Sequence, residues 1–239
     1  MKKAGMKKGK NKEFSTPYTV TNAAAKGNII TKLSLLIMGL GNIAHKQIGK
    51  GIMFLAVEAS YIWYMIQSGI YNLSMLPSLG WREQEKVWNE KKSIYEYTAG
   101  DQSALILLYG VATVYITAMF IIVWRESVKS SYKSEVLAKS GKHLNNFKED
   151  CKSLLDQNLY KLLLAAPVMG ILIFTILPLI YNITMAFTNY SKVNDHLVLF
   201  DWVGLANFKK ILNFGDSIGK QFYSVLGWTL IWAIVATAL

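Results

Sequence analysis

The residue best placed to do chemistry is Glu58. It sits inside the apolar run "FLAVEASYIWYMIQSGIY" (54–71). A carboxylate in such surroundings either titrates along a proton or ion path or takes a fixed partner on a neighbouring helix. No second charge lies in any of the chain's long apolar blocks, so a relay has no next member. A protonated or partnered carboxylate facing another helix is the expectation. Other reactive types are scattered. The three histidines, His45, His143 and His196, are far apart, and no H-E-x-x-H or G-x-S-x-G occurs. The Gly-Lys pairs at 9, 49, 141 and 219 lack a following Ser or Thr, so no P-loop is present to cradle a nucleotide. Cys151 is the one cysteine, which excludes an intrachain disulfide and a cysteine metal set; an ordinary reduced thiol is expected. No acids cluster as a glycosidase pair would. No catalytic residue, metal site or cofactor site is therefore assigned, and an embedded enzyme has little support.

The elements around Glu58 explain why. The chain has 239 residues, 52% hydrophobic and 17% charged, where a soluble domain carries roughly a quarter charged. The apolar residues gather in four blocks, 51–70, 103–124, 162–183 and 222–239. Each is near the ~20 residues that cross a bilayer core. All 26 basic residues and 14 of the 15 acidic ones lie outside the blocks. A soluble core does not segregate charge so cleanly. The fold expected is all-α, a polytopic transmembrane helical protein with about four spans.

The net charge of +11 is unevenly placed. Ten basic residues fall in 1–50 and eight in 125–161, against four in each of 71–102 and 184–221. This is the positive-inside pattern, with the N-terminus and 125–161 cytoplasmic and the other loops external. Juxtamembrane basic segments mark topology and contact with the lipid bilayer, so no nucleic-acid partner is expected.

Residues 1–28 read as a disordered basic cytoplasmic tail, retained and not a cleaved signal. In 29–50, Leu33, Leu36, Ile37, Leu40, Ile43 and Ala44 share one helical face. That predicts an amphipathic interfacial helix, with a re-entrant piece as the alternative. Two N-terminal accessory spans follow in 51–124 (51–70 and 103–124), joined by an external loop 71–102 in which a short helix fits. A partly helical cytoplasmic linker occupies 125–161. The region 162–239 contains spans 162–183 and 222–239 and external loop 184–221. Pro167 and Pro178 predict kinks in the third span, since each removes a backbone donor. After it comes "MAFTNY" (185–190), then "FDWVGLANFKKIL" (200–212), which predicts a short amphipathic helix.

Those stretches carry a resemblance. Pro167, Pro178, Ala186, Phe187, Thr188, Asn189 and Tyr190, then Val203, Gly204, Leu205, Asn207 and Phe208, are similar to the entry region of sugar-permease subunits of ABC importers. "LIMGLGNIAHKQIGKG" (36–51) and the two extra spans resemble the MalF-type, maltose/maltodextrin branch. The likeness covers roughly residues 30–239. It implies a permease subunit for oligosaccharides, with maltodextrin first and galacto-oligosaccharides next. It also implies partners: a second homologous permease, ATPase subunits that hydrolyse ATP, and an external solute-binding protein. Some relatives carry a large folded domain where loop 184–221 is short. The resemblance implies that the ATPase-gripping loop and the sugar-contacting residues would follow Leu239, so the core from 162 is expected to be incomplete and no substrate-binding residue is assigned. Two other classes compete. A membrane-bound transferase would need clustered acids or histidines, and a membrane scaffold or sensor would need a soluble module.

Overall fold

A computed structural model describes residues 18–97, 100–156, 158–190, 192–193, 196–197, 199–213 and 215–238. The described chain is mainly helical, with little strand. In order it forms α1 (Val20–Lys26), α2 (Ile29–Leu33), α3 (Leu40–Ala44), α4 (Ile48–Tyr64), a π-helical stretch Met65–Gly69 and α5 (Ile70–Met75). The hairpin β1 (Lys86–Asn89) and β2 (Ile94–Tyr97) precedes the long α6 (Ser103–Lys139) and α7 (Phe147–Leu155). Then come α8 (Leu159–Ile171), a second π-helical stretch Leu172–Ile176, α9 (Leu177–Met185), the two-residue strands β3 (Lys192–Val193) and β4 (His196–Leu197), α10 (Ala206–Leu212) and α11 (Ser217–Ala238).

Three helices among the described residues are long and apolar enough to cross a membrane: Ser103–Lys139, Leu159–Met185 and Ser217–Ala238. They coincide with three of the four expected blocks, 103–124, 162–183 and 222–239, the last as far as Ala238. The expected first span, 51–70, is helical throughout but is not among the three. Glu58, Gln67 and Ser68 dilute its hydropathy. The prolines leave Leu159–Met185 a continuous helical run. Pro167 stands inside α8 and Pro178 opens α9, just after the π-helical turn. Within that turn Tyr115 donates its hydroxyl to the Leu172 carbonyl at 3.1 Å. That carbonyl also accepts from the Leu177 amide, so the hydroxyl is a second donor that ties α6 to the π-helical turn.

The chain divides into two compact units, 1–64 with 117–165, and 65–116 with 166–239. In the first unit, α1 stands where a featureless tail was expected; residues 1–17 lie outside the described part. Thr19 caps α1, accepting from the Asn22 amide at 3.2 Å. Ala23 is buried against Val128, Tyr132 and Val136 of α6, which is why so short a helix holds. The expected amphipathic helix over 29–50 is instead broken into α2, α3 and the start of α4. Gly39 takes φ +78°, and a Cβ there would meet the Gly51 carbonyl oxygen at 2.3 Å. The broken backbone is recouped by a face of serines on α6. Ser127 accepts from the Gly39 amide at 3.0 Å. Ser131 donates to Asn42 Oδ1 at 3.0 Å, and Asn42 Nδ2 donates to Ser130 at 2.9 Å. Ser134 donates to Gln47 Oε1 at 2.7 Å. A continuous helix would gain its own ladder but lose these cross-links to the buried hydroxyls of Ser127 and Ser131.

Below them on α6, Glu135 is 2% exposed. It accepts from the Asn28 amide at 2.9 and 3.1 Å, from Thr31 Oγ1 at 2.6 Å, and from Lys139 one turn on.

In the second unit, Leu79, Leu107, Val111 and Phe200 form the buried centre. The segment where a short helix was expected is the β1–β2 hairpin, with Trp88 opposite Tyr95. Their rings meet edge to face at 4.9 Å. "KVWN" and "IYEY" are β-branched and aromatic enough to outweigh the charges around them. Asp101 closes the hairpin's base: its carboxylate accepts from the Trp81 and Arg82 amides at 2.9 and 3.1 Å.

Candidate functional site

The motif residues after the third span form one compact clasp. The helix ends at Met185, and a tight turn carries Phe187 and Thr188 back across its end. Thr188 is 2% exposed and donates its hydroxyl to the Met185 carbonyl at 2.8 Å, so the turn is closed by its own side chain. Twelve residues downstream the chain returns antiparallel. Thr188 bridges Trp202. The Asn189 amide donates to the Asp201 carbonyl at 3.1 Å, and the Val203 amide to the Phe187 carbonyl at 2.9 Å. Asn189 Oδ1 accepts from the Asp201 amide at 2.6 Å.

Gly204 then turns the backbone at φ +56°, with open space around the place a Cβ would take. Glycine is needed there for conformation alone. The turn feeds α10 at the expected place, and α10 brings Asn207 back over the clasp. Its amide nitrogen donates to two carbonyls, Ala186 at 3.0 Å and Thr188 at 2.8 Å. Phe208 packs on Phe187 with ring centroids 5.1 Å apart. Tyr190 meets Phe200 edge to face at 5.4 Å. Trp202 Nε1 donates to the Leu76 carbonyl at 3.0 Å, and the Phe200 amide donates to Ser103 Oγ at 3.2 Å. So "FTNY" and "DWVGLANF" recognise each other, and two further segments pin them. Val203 and Leu205 belong to the returning strand and the turn; Leu205 is 61% exposed and contributes no burial. Pro167 and Pro178 stand upstream in α8 and α9, outside this contact set.

Glu58 is half-buried on α4, and its Oε2 accepts from the Met38 amide at 2.8 Å. It therefore caps the turn between α2 and α3. The partner is backbone on an adjoining loop and not a second charge. Cys151 is a free thiol on α7. His143 Nε2 lies 2.9 Å from Glu149 Oε2 on the surface. Among the described residues no three His, Cys, Asp or Glu side chains gather as a metal site. The serine face of α6 went unnoticed in the sequence. Its signal is the spacing of Ser127, Ser131 and Ser134, one side of a helix.

The arrangement thus fixes backbone rather than reactive groups. Over 226 residues the chain is 29% identical to the maltodextrin transport system permease protein MdxF of Bacillus subtilis (strain 168), a match covering 93% of this chain and 47% of that protein. Over 217 residues it is 27% identical to the galactooligosaccharides transport system permease protein GanP of the same organism, covering 88% and 47%. Over 208 residues it is 29% identical to the maltodextrin transport system permease protein MalC of Streptococcus pneumoniae serotype 4 (strain ATCC BAA-334 / TIGR4), covering 85% and 44%. The chain spans about half the length of the curated relatives it matches. No family model matches it, and no solved structure matches it. With three helices apolar enough to span a bilayer, and most of its length aligned with such proteins, the chain is a membrane protein similar to about half of an oligosaccharide-transport permease.

Proposed function

We propose that the chain is part of the membrane-spanning permease subunit of an ATP-binding-cassette importer for oligosaccharides, and that maltodextrin is its substrate class. The observation that carries this reading is the alignment over 93% of the chain with a maltodextrin permease. The "FTNY"–"DWVGLANF" clasp, a positional device at the end of a span, is in keeping with it. In this reading ATP is hydrolysed by separate ATPase subunits, a second homologous permease completes the path, and an external solute-binding protein delivers the sugar. The segment 1–50 and the accessory spans of 51–124 anchor the subunit, 125–161 links them, and the core begins at 162. The subunit lies in a bacterial plasma membrane with its N-terminus cytoplasmic. The likeness to the galactooligosaccharide permease favours a second substrate, galacto-oligosaccharides.

Disrupting the gene in its own host and measuring uptake of labelled maltotriose, a galacto-oligosaccharide and glucose tests the substrate class. Loss of maltotriose uptake alone is expected. Loss of galacto-oligosaccharide uptake alone would move the assignment to the second substrate, and unchanged uptake of both would end the transport reading. Orientation is tested with a membrane-impermeant maleimide. Cys151 should label only after permeabilisation, and a cysteine placed at Ser93 in a C151S background should label in intact cells. The reverse pattern would invert the topology.

A further inference from the structure

We propose that the first compact unit carries a specific binding site for an anionic phospholipid. Two adjoining depressions make the site. One is a groove of about 650 Å³, mostly apolar, floored by Met53, Phe54 and Val57 of α4, Val123 of α6 and Leu154 of α7. The other is a polar cavity of about 150 Å³ whose wall includes Ser130 and Lys133 of α6 and His143. Lys50 and Asp150 line both. An apolar trough that opens into a cationic cavity matches one ligand chemistry: an acyl chain joined to a negatively charged headgroup.

The setting agrees. Lys50 lies in the first turn of α4, Lys161 in the first turn of α8, and Val123 at the last apolar turn of α6 before Trp124-Arg125. These are the levels at which helices leave hydrocarbon for headgroups. Phe147 closes the wall by lying on Gly49, where a Cβ would come within 2.5 Å of the ring.

The charge balance favours an anion. Lys50, Lys133 and Lys161 face the two depressions, and none is ion-paired among the described residues. Lys161 lies 5.6 Å from the Tyr160 ring centroid. Against them stands Asp150, whose Oδ1 accepts from Asn145 Nδ2 at 3.2 Å. His143 is engaged by Glu149. Lipid would fill an apolar trough facing a bilayer in any case. The lysines make the choice selective, since each basic residue near a membrane surface favours anionic over neutral lipid. The inference rests only on the chain residing in a membrane and not on what it transports.

The test uses the chain in nanodiscs of phosphatidylcholine with or without phosphatidylglycerol. Retained lipid is counted by native mass spectrometry after mild detergent release. Cys151, which lines the groove, reports occupancy through its alkylation by an uncharged maleimide. The parent chain should retain one phosphatidylglycerol over phosphatidylcholine by roughly 30- to 150-fold, as expected for two to three contributing lysines. Phosphatidylglycerol should also slow Cys151 alkylation. K50Q/K133Q should abolish both effects. K148Q/K152Q removes equal charge from α7 outside both depressions and should abolish neither. L154Q should speed alkylation while leaving the chain folded, as judged by its circular dichroism. Absence of a phosphatidylglycerol preference would overturn the proposal. So would equal losses in the two lysine pairs, which would mean only diffuse attraction. Protection of Cys151 by inorganic phosphate to the same degree would overturn the lipid assignment, since the acyl chain would then play no part.

Discussion

Replacing Asn207 by alanine tests the clasp most directly. The side chain donates to two main-chain carbonyls, one at the exposed edge and one on the buried Thr188. A hydrogen bond contributes about 1 kcal/mol net, and more where the acceptor left behind is buried. Discounting the exposed Ala186 partner gives about 1.5 kcal/mol for the pair, which is roughly a twelvefold rise in local opening. The opening should show at the amides of Asn189 and Val203, which close the antiparallel pairing. Hydrogen exchange of the chain in nanodiscs, read residue by residue, is the assay. Amides of α1 and α2 belong to the other compact unit and serve as the internal reference. Asn207→Asp should open the clasp further, because a carboxylate would face two carbonyl oxygens. If Asn189 and Val203 exchange at parent rates in Asn207→Ala, or if α1 and α2 accelerate equally, then Asn207 does not hold the clasp and the argument fails.

Four other outcomes follow from the same reasoning. Gly204→Ala should cost ~1 kcal/mol, the strain of a left-handed backbone, because the space for a methyl is open. Gly204→Asn, better tolerated there, should recover part of it in the same exchange assay. Glu135→Ala should destabilise the start of α2 by roughly 2–4 kcal/mol, since Thr31 and the Asn28 amide lose a charged acceptor; limited proteolysis near residues 26–30 would reveal it. Glu58→Gln keeps an oxygen for the Met38 amide and should leave thermal stability in detergent near that of the parent, whereas Glu58→Leu should lower it. The Trp81 amide, with Arg82's, holds the Asp101 carboxyl below its ordinary range. Its folded value lies below the unfolded one, so the contribution is present above about pH 4 and is lost as pH falls through the folded value. Protection of the Trp81 and Arg82 amides, taken relative to their intrinsic exchange rates at each pH, should fall at low pH in the parent and stay unchanged in D101N.

The blocks of apolar residues announced three of the helices, because a 20-residue stretch without charge has few other uses. The clasp was legible as a set of residues but not as an object. Phe187 and Val203 meet only because the chain doubles back, and no local periodicity encodes that return. Segment 29–50 was misjudged for a related reason. Its leucines and isoleucines share a helical face, yet Gly39 and Gly41 interrupt it, and the reward for breaking lies almost a hundred residues on, in the serines of α6. The β1–β2 hairpin was hidden by its charges. Lys92 and Glu96 pair with each other at 2.7 Å, so they decorate the turn rather than oppose it. The partner of Glu58 is a main-chain amide, that of Met38, and a main-chain amide leaves no mark in a sequence.

The crossing of Phe187–Asn189 with Asp201–Val203 also bears on what such a chain can carry between them. The hydrogen bonds described for this tie run between 187–189 and 201–203, and the chain between Tyr190 and Phe200 joins the two sides. Lengthening a closed loop is inexpensive, about 0.6 kcal/mol for each doubling. The knot therefore behaves as a socket. A segment of a few residues or an independently folded module could be spliced in between those aromatics, and the span below and α10 beside it would hold their positions. A chain built this way can gain or lose an attachment at this loop without any change to the helices on either side.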